Sequence, residues 1–156
     1  LGFLPSVLFE DRRAWLAVLV GWALSFGGSL VLGFAASRLA PGGAGVDLGG
    51  ASGPMILFSV GVFAPVVETL IMGAVLVLLL RFLPAWVAVI VSAIGWGVAH
   101  ALMSPLWGAV IWWPFLIFST LFATWRARGF WRAAGLVAVV HMLQNAGPAA
   151  AIVLGY

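Results

Sequence analysis

Ala64-Pro65-Val66-Val67-Glu68-Thr69-Leu70-Ile71-Met72-Gly73 carries a single carboxylate in the middle of an apolar run that continues well beyond it on both sides. If this run crosses a bilayer, Glu68 lies deep in hydrocarbon, where an ionisable side chain is expensive and usually functional. Two histidines and an asparagine, His100, His141 and Asn145, sit inside later apolar runs. The expectation is that they meet Glu68 in one buried site.

Composition sets the class. The chain has 156 residues, 65% of them hydrophobic and 7% charged, and its mean hydropathy is +1.23. Soluble domains run near half apolar and a quarter charged. The fold expected is therefore an all-α, polytopic membrane helix bundle forming a single transmembrane domain over residues 1–156, in a multi-pass protein of a prokaryotic inner (cytoplasmic) membrane. At ~20 residues per crossing, about five transmembrane helices fit. The pI near 11.2 rests on arginines scattered through loops, with no basic run, so it argues for no nucleic-acid partner. Without cysteine, disulfides and thiolate metal sites are excluded.

Leu1 to Asp11 reads as an interfacial segment or as the tail of a further helix, without assigned function. Ala14 to Ser37 is too long for a signal-peptide core and reads as the first, extra transmembrane helix. Ser25, Ser29, Gly33 and Ser37 recur every four residues, a small-residue stripe expected to serve helix packing. Leu39 to Gly53, with Pro41 and Asp47, reads as a loop. The second span is expected from Pro54 to Leu80 with a kink at Pro65. The third runs from Ala85 to Met103, with a second small-residue stripe at Ala93, Gly97 and Ala101. The fourth runs from Trp107 to Trp125, interrupted by Pro114, and the fifth from Phe130 to Leu154, distorted near Gly147-Pro148.

Arg12, Arg13, Arg81, Arg126, Arg128 and Arg132 fall at one end of this arrangement and Arg38 alone at the other. That bias implies an N-in, C-out topology. Tryptophans 86, 107, 125 and 131 fall near span ends, where interfacial aromatics gather. At ~1.5 Å per residue, Glu68 lies ~20 Å from Arg81, His100 ~24 Å from Pro84, and His141 and Asn145 ~14 and ~20 Å from Arg132. Three helices thus bring their polar groups to one layer, in the middle or outer half of a ~30 Å core. His141 and Asn145, four apart, share a helix face, as do Trp96 and His100. The plainer interpretation, that each polar residue is interhelical glue, suits a lone histidine better than four groups at one depth.

Pro65-Val66-Val67-Glu68, then Trp96-Gly97-Val98-Ala99-His100, then Gly129-Phe130-Trp131 leading to His141-Met142-Leu143-Gln144-Asn145 resembles the CPBP intramembrane proteases. That family includes CAAX prenyl endopeptidases and bacteriocin-processing or self-immunity proteins. Its pattern is a Pro-x-x-Glu-Glu-x-x-x-Arg helix, a Phe-x-x-x-His helix and a His-x-x-x-Asn helix, and the resemblance covers about residues 54–146. Two departures look paired. Thr69 stands at the second glutamate and Gly73 at the arginine, positions that could form an ion pair one helical turn apart. Trp96 replaces the phenylalanine. Another register would place Glu68 on the second glutamate and Val67 on the first; Pro65 argues against it.

The resemblance implies a glutamic-type endopeptidase in which Glu68 activates water as general base. His100 would position the water or the carboxylate, and His141 and Asn145 would donate to the developing oxyanion. No cofactor is expected. Zinc is the alternative, with His100, His141 and Glu68 as ligands, although the chain lacks His-Glu-x-x-His. The substrate would be a membrane-anchored protein or peptide: a C-terminal anchor, a leader peptide or a CAAX-like tail. Two rivals remain, a catalytically degenerate scaffold acting as immunity factor or partner subunit, and a proton or ion pathway through Glu68 and the histidines.

Overall fold

The computed structural model describes residues 1–39 and 53–154. The expected Leu39–Gly53 loop falls almost wholly outside the described residues. The described residues form an all-α polytopic bundle of five long helices: α1 Ala14–Leu39, α2 Gly53–Leu79, α3 Ala85–Ala101, α4 Pro105–Trp125 and α5 Phe130–Leu154. Four of them, α1, α2, α4 and α5, are long and apolar enough to cross a membrane. The third, α3, has 17 residues, or about 25 Å of rise, the short end of what spans a bilayer.

Chain direction is fixed at one corner. Arg128 Nε donates to Asp11 Oδ2 at 2.7 Å, which brings the end of α4 beside the start of α1. The guanidinium's hydrogen bond holds the Asp11 carboxyl below its ordinary range. With short turns at Leu80–Pro84 and Leu102–Ser104, the helices alternate in direction, and the arginines before α1, after α2, after α4 and at the start of α5 gather at one end. Beneath that end, a 3-10 turn at Ser6–Phe9 tucks Leu4 and Leu8 into the core, tied by Thr124 Oγ1 donating to the Leu8 carbonyl at 2.9 Å.

The central post is α4. Phe115, Phe118 and Phe122, spaced three and four apart, stack up one side of it and are fully enclosed, because residues so spaced share a helix face. Against another side lies α3, where Gly97 and Ala101 meet Gly108: a Cβ on Gly108 would lie 2.5 Å from the Gly97 carbonyl oxygen and the Ala101 Cβ. The second small-residue stripe therefore does permit close approach. Buried hydroxyls also tie these helices, with Ser119 Oγ donating to Ser92 Oγ at 2.9 Å.

The first stripe behaves differently. The close approaches of α1 come from Ala17, Gly21 and Ser25, which are buried, and from Gly28, whose missing side chain admits the Trp113 indole; Trp113 Nε1 donates to the Leu24 carbonyl at 2.8 Å. Ser29, Gly33 and Ser37 instead line a cavity. A four-residue step advances about 40° around a helix, so a strict four-residue repeat winds off the packing face at Ser25 and ends on the cavity.

The prolines break less than expected. Helix α4 runs unbroken through Pro114, and α5 through Pro148. A missing N–H costs one hydrogen bond, and tight packing holds the helix across it. At Pro65 the distortion is real but takes a specific form, a π-helical turn at Ser59–Phe63 just before the ring. Two of the four end tryptophans also face inward. Trp86 and Trp131 are exposed, whereas Trp125 packs into the core and Trp107 lines the cavity. Both inward indoles start or end the central post, so their rings meet protein before lipid.

Candidate functional site

A cavity of about 430 Å³ opens between α1, α2, α4, α5 and the end of α3, and Glu68, His100, His141 and Asn145 all line it. Its other walls include Ser37 at the end of α1, Trp107 at the start of α4 and Ile152 near the end of α5. It therefore occupies the half of the bundle away from the arginine-rich end, the layer that helical rise predicts.

The acid of the site faces an imidazole, Glu68 with His141. Glu68 Oε2 lies 3.6 Å from His141 Nε2, and their side chains are 26% and 4% exposed. The carboxylate therefore reaches the cavity while the imidazole behind it is closed in. At this separation a direct hydrogen bond is not formed, and a water or a substrate atom can touch both groups. The imidazole is clamped between the Phe115 and Phe118 rings, at centroid distances of 5.3 and 4.6 Å. Its Nδ1 lies 3.3 Å from Thr69 Oγ1. Two proton arrangements satisfy this clamp. With Nδ1–H directed at the Thr69 hydroxyl, Nε2 offers a lone pair to the cavity. With the Thr69 hydroxyl donating to Nδ1, Nε2–H points at Glu68.

His100 Nδ1 is 2.9 Å from the Trp96 carbonyl oxygen, one helical turn back. A carbonyl only accepts, so the neutral ring carries its proton on Nδ1 and presents Nε2 as an acceptor. Trp96, Trp107 and Phe115 pack around it at centroid distances of 5.9, 5.7 and 5.9 Å. Phe115 thus touches both imidazoles, separating and steadying them.

Asn145 is placed by the π turn. The Ala64 N–H bonds to the Ser59 carbonyl, so it cannot serve Val60, and the next residue, Pro65, has no N–H. The Val60 carbonyl is left without a helical donor. Asn145 Nδ2 donates to it at 3.1 Å. One amide proton is thereby committed to structure, which leaves the other N–H and the carbonyl oxygen to face the cavity.

The surroundings of Gly73 and Thr69 are tightly filled. A Cβ at Gly73 would lie 2.6 Å from the Phe122 ring and 3.3 Å from Phe130. An arginine there has no room, and Thr69, 1% exposed, bonds to His141 instead of pairing with it. Three contributors escape sequence reasoning: Thr69, Trp107 and Gln144. Gln144 Nε2 donates to Ser29 Oγ at 3.1 Å, tying α5 to α1. Four-residue spacing from Ser25 puts Ser29 on a stripe, but no sequence signal says that the stripe faces a glutamine.

As a metal site the set fits poorly. No group of three or more His, Asp or Glu side chains converges to hold an ion among the described residues. Comparison of the chain with protein-family models, with curated proteins and with solved structures returns no match.

Proposed function

We propose that the protein is an intramembrane endopeptidase of glutamic type, acting on a membrane-borne peptide segment. The observation that carries this reading is the Glu68 carboxylate 3.6 Å from His141 Nε2, at the wall of a cavity also lined by His100 and Asn145, inside an apolar helix bundle. The resemblance of these same residues to the CPBP pattern supports it.

In the proposed reaction Glu68 removes a proton from water and the hydroxide adds to the peptide carbonyl carbon. His100, an acceptor at Nε2, holds the water's second proton. The uncommitted Asn145 N–H and, in its Nε2–H form, His141 donate to the oxyanion. Protonated Glu68 then passes its proton to the departing amine as the C–N bond breaks. Positioned acid–base groups contribute about 10²–10⁴-fold and each oxyanion donor a further ~10²–10³-fold. No step passes through a metal, since the residues do not form a ligand set.

The arginine bias supports a cytoplasmic N-terminus in a prokaryotic inner membrane, with the cavity in the extracytoplasmic half. A C-terminal anchor or leader peptide cut near that face suits this topology better than a cytoplasmic CAAX-like tail. Thr69 and Gly73 favour one rival, a scaffold that binds a membrane partner without cutting it. Reconstituted wild-type and Glu68→Gln proteins, incubated with candidate membrane-anchored substrates in H₂¹⁸O and followed by mass spectrometry, separate the two. The peptidase reading expects ¹⁸O in the new carboxylate from the wild type and at least 10²-fold less product from the variant. Equal cleavage by both proteins would overturn Glu68 as the base, and uncut substrate bound by both would favour the scaffold.

A further inference from the structure

Gln144 lies inside the turn that joins His141 to Asn145, and the motifs give it no task. It is 6% exposed and lines the cavity. Its Nε2 is used by Ser29, but its Oε1 is buried without a hydrogen-bond partner among the described residues. The backbone adds a second acceptor at the same place. Pro148, four residues on within the continuous helix, has no N–H to give to the Gln144 carbonyl. Pro148 lines the cavity too. The ladder donor of the Gln144 main-chain carbonyl is missing, and its side-chain oxygen is a buried acceptor left unmade, costly enough to attract a donor.

We propose that Gln144 is the substrate-positioning residue of this site, its side-chain oxygen accepting a backbone N–H from an extended peptide. The identification of the occupant as a peptide rests on the endopeptidase reading. The geometry suits an extended chain. Gln144 sits three residues beyond His141 on α5, ~4.5 Å along the axis, while an extended chain advances ~3.3 Å per residue. A peptide whose scissile carbonyl faces Glu68 and His141 thus presents the N–H of a residue one or two positions away to Gln144. A lipid tail or a helical segment whose N–H groups are internally bonded has no such donor, so the residue selects for unwound peptide. Ser29 keeps the carboxamide oriented, which gives the extra helix α1 a part in recognition.

The test is binding in the Glu68→Gln background, where the outcome does not depend on hydrolysis. The probe is a dansylated ten-residue peptide of alternating leucine and alanine in detergent micelles, with each backbone N–H replaced in turn by an ester oxygen. One ester position is expected to weaken binding about tenfold. Adding Gln144→Met, which keeps the size and removes the acceptor, is expected to abolish that position's sensitivity. Adding Ser29→Ala, which cuts the tie to α1 and lets the carboxamide turn, is expected to weaken that position's sensitivity without abolishing it. Equal ester sensitivity with and without Gln144→Met, no sensitive position, or no saturable binding of the parent peptide overturns the proposal. The cleavage comparison of Glu68→Gln with wild type judges the endopeptidase reading separately.

Discussion

Asn145→Ala gives a perturbation whose cost can be reasoned from one missing N–H. The Val60 carbonyl would lose the Asn145 donor now at 3.1 Å, with the Ala64 N–H already used by Ser59 and Pro65 unable to donate. A buried acceptor stranded this way costs about 1–3 kcal/mol in soluble proteins, while polar contacts between membrane helices average ~0.6 and reach ~1.7 kcal/mol because the unfolded helices find other partners. Val60 has no other helical donor, so the expected loss is near the upper membrane value, about 1.5 kcal/mol. No cavity penalty adds to it, since Asn145 already borders open space. Pro65→Ala is the matching change: it restores an N–H that can serve Val60 in the π register, or releases the Ala64 N–H to it if the turn relaxes to α. In the Pro65→Ala background, Asn145→Ala should therefore cost less by about 1 kcal/mol. The assay is reversible unfolding in detergent micelles, by steric trapping or denaturant titration, over all four corners of the cycle. Additivity of the two substitutions to within about 0.5 kcal/mol would refute the account of Asn145 as the partner of a proline-orphaned carbonyl. Activity adds a second reading: if it returns in the double variant, Asn145 acts only through structure and is no oxyanion donor.

Three further outcomes are expected. Gly73→Ala pushes a methyl to 2.6 Å from the Phe122 ring and should destabilise by about 1–3 kcal/mol, with Phe122→Leu in the same chain relieving most of it; an unchanged melting temperature for Gly73→Ala alone would show that the rings yield freely. Thr69→Val removes the hydroxyl 3.3 Å from His141 Nδ1, and should lower kcat with little change in KM because the ring loses its orientation; a change confined to KM would contradict that role. The Asp11 carboxyl is held below its ordinary range by the Arg128 hydrogen bond, so this exposed pair's small contribution is present at neutral pH and lost as pH falls through the lowered folded-state value. Asp11→Asn should flatten the stability difference between neutral and acid pH, and an unaltered acid limb would discount the pair.

The amino-acid sequence by itself determined the class and the long helices, and it set the expected heights of the candidate site residues. Long apolar runs leave a chain no choice but to close its backbone hydrogen bonds within helices, and the rise per residue turns positions 68, 100, 141 and 145 into heights. Local sequence could not say which way a face turns. The stripe from Ser25 to Ser37 looked like one contact surface, yet its slow winding gives Ser25 to the core and Ser29 to the cavity. Nor could sequence foresee that Pro65 would act through a π turn whose spare carbonyl captures Asn145, or that Phe122 would fill the space beside Gly73 while Thr69 meets His141. These depend on how helices distant along the chain settle against one another, where the partner of each polar atom and the owner of each small volume are decided by packing and not by any residue's own neighbours.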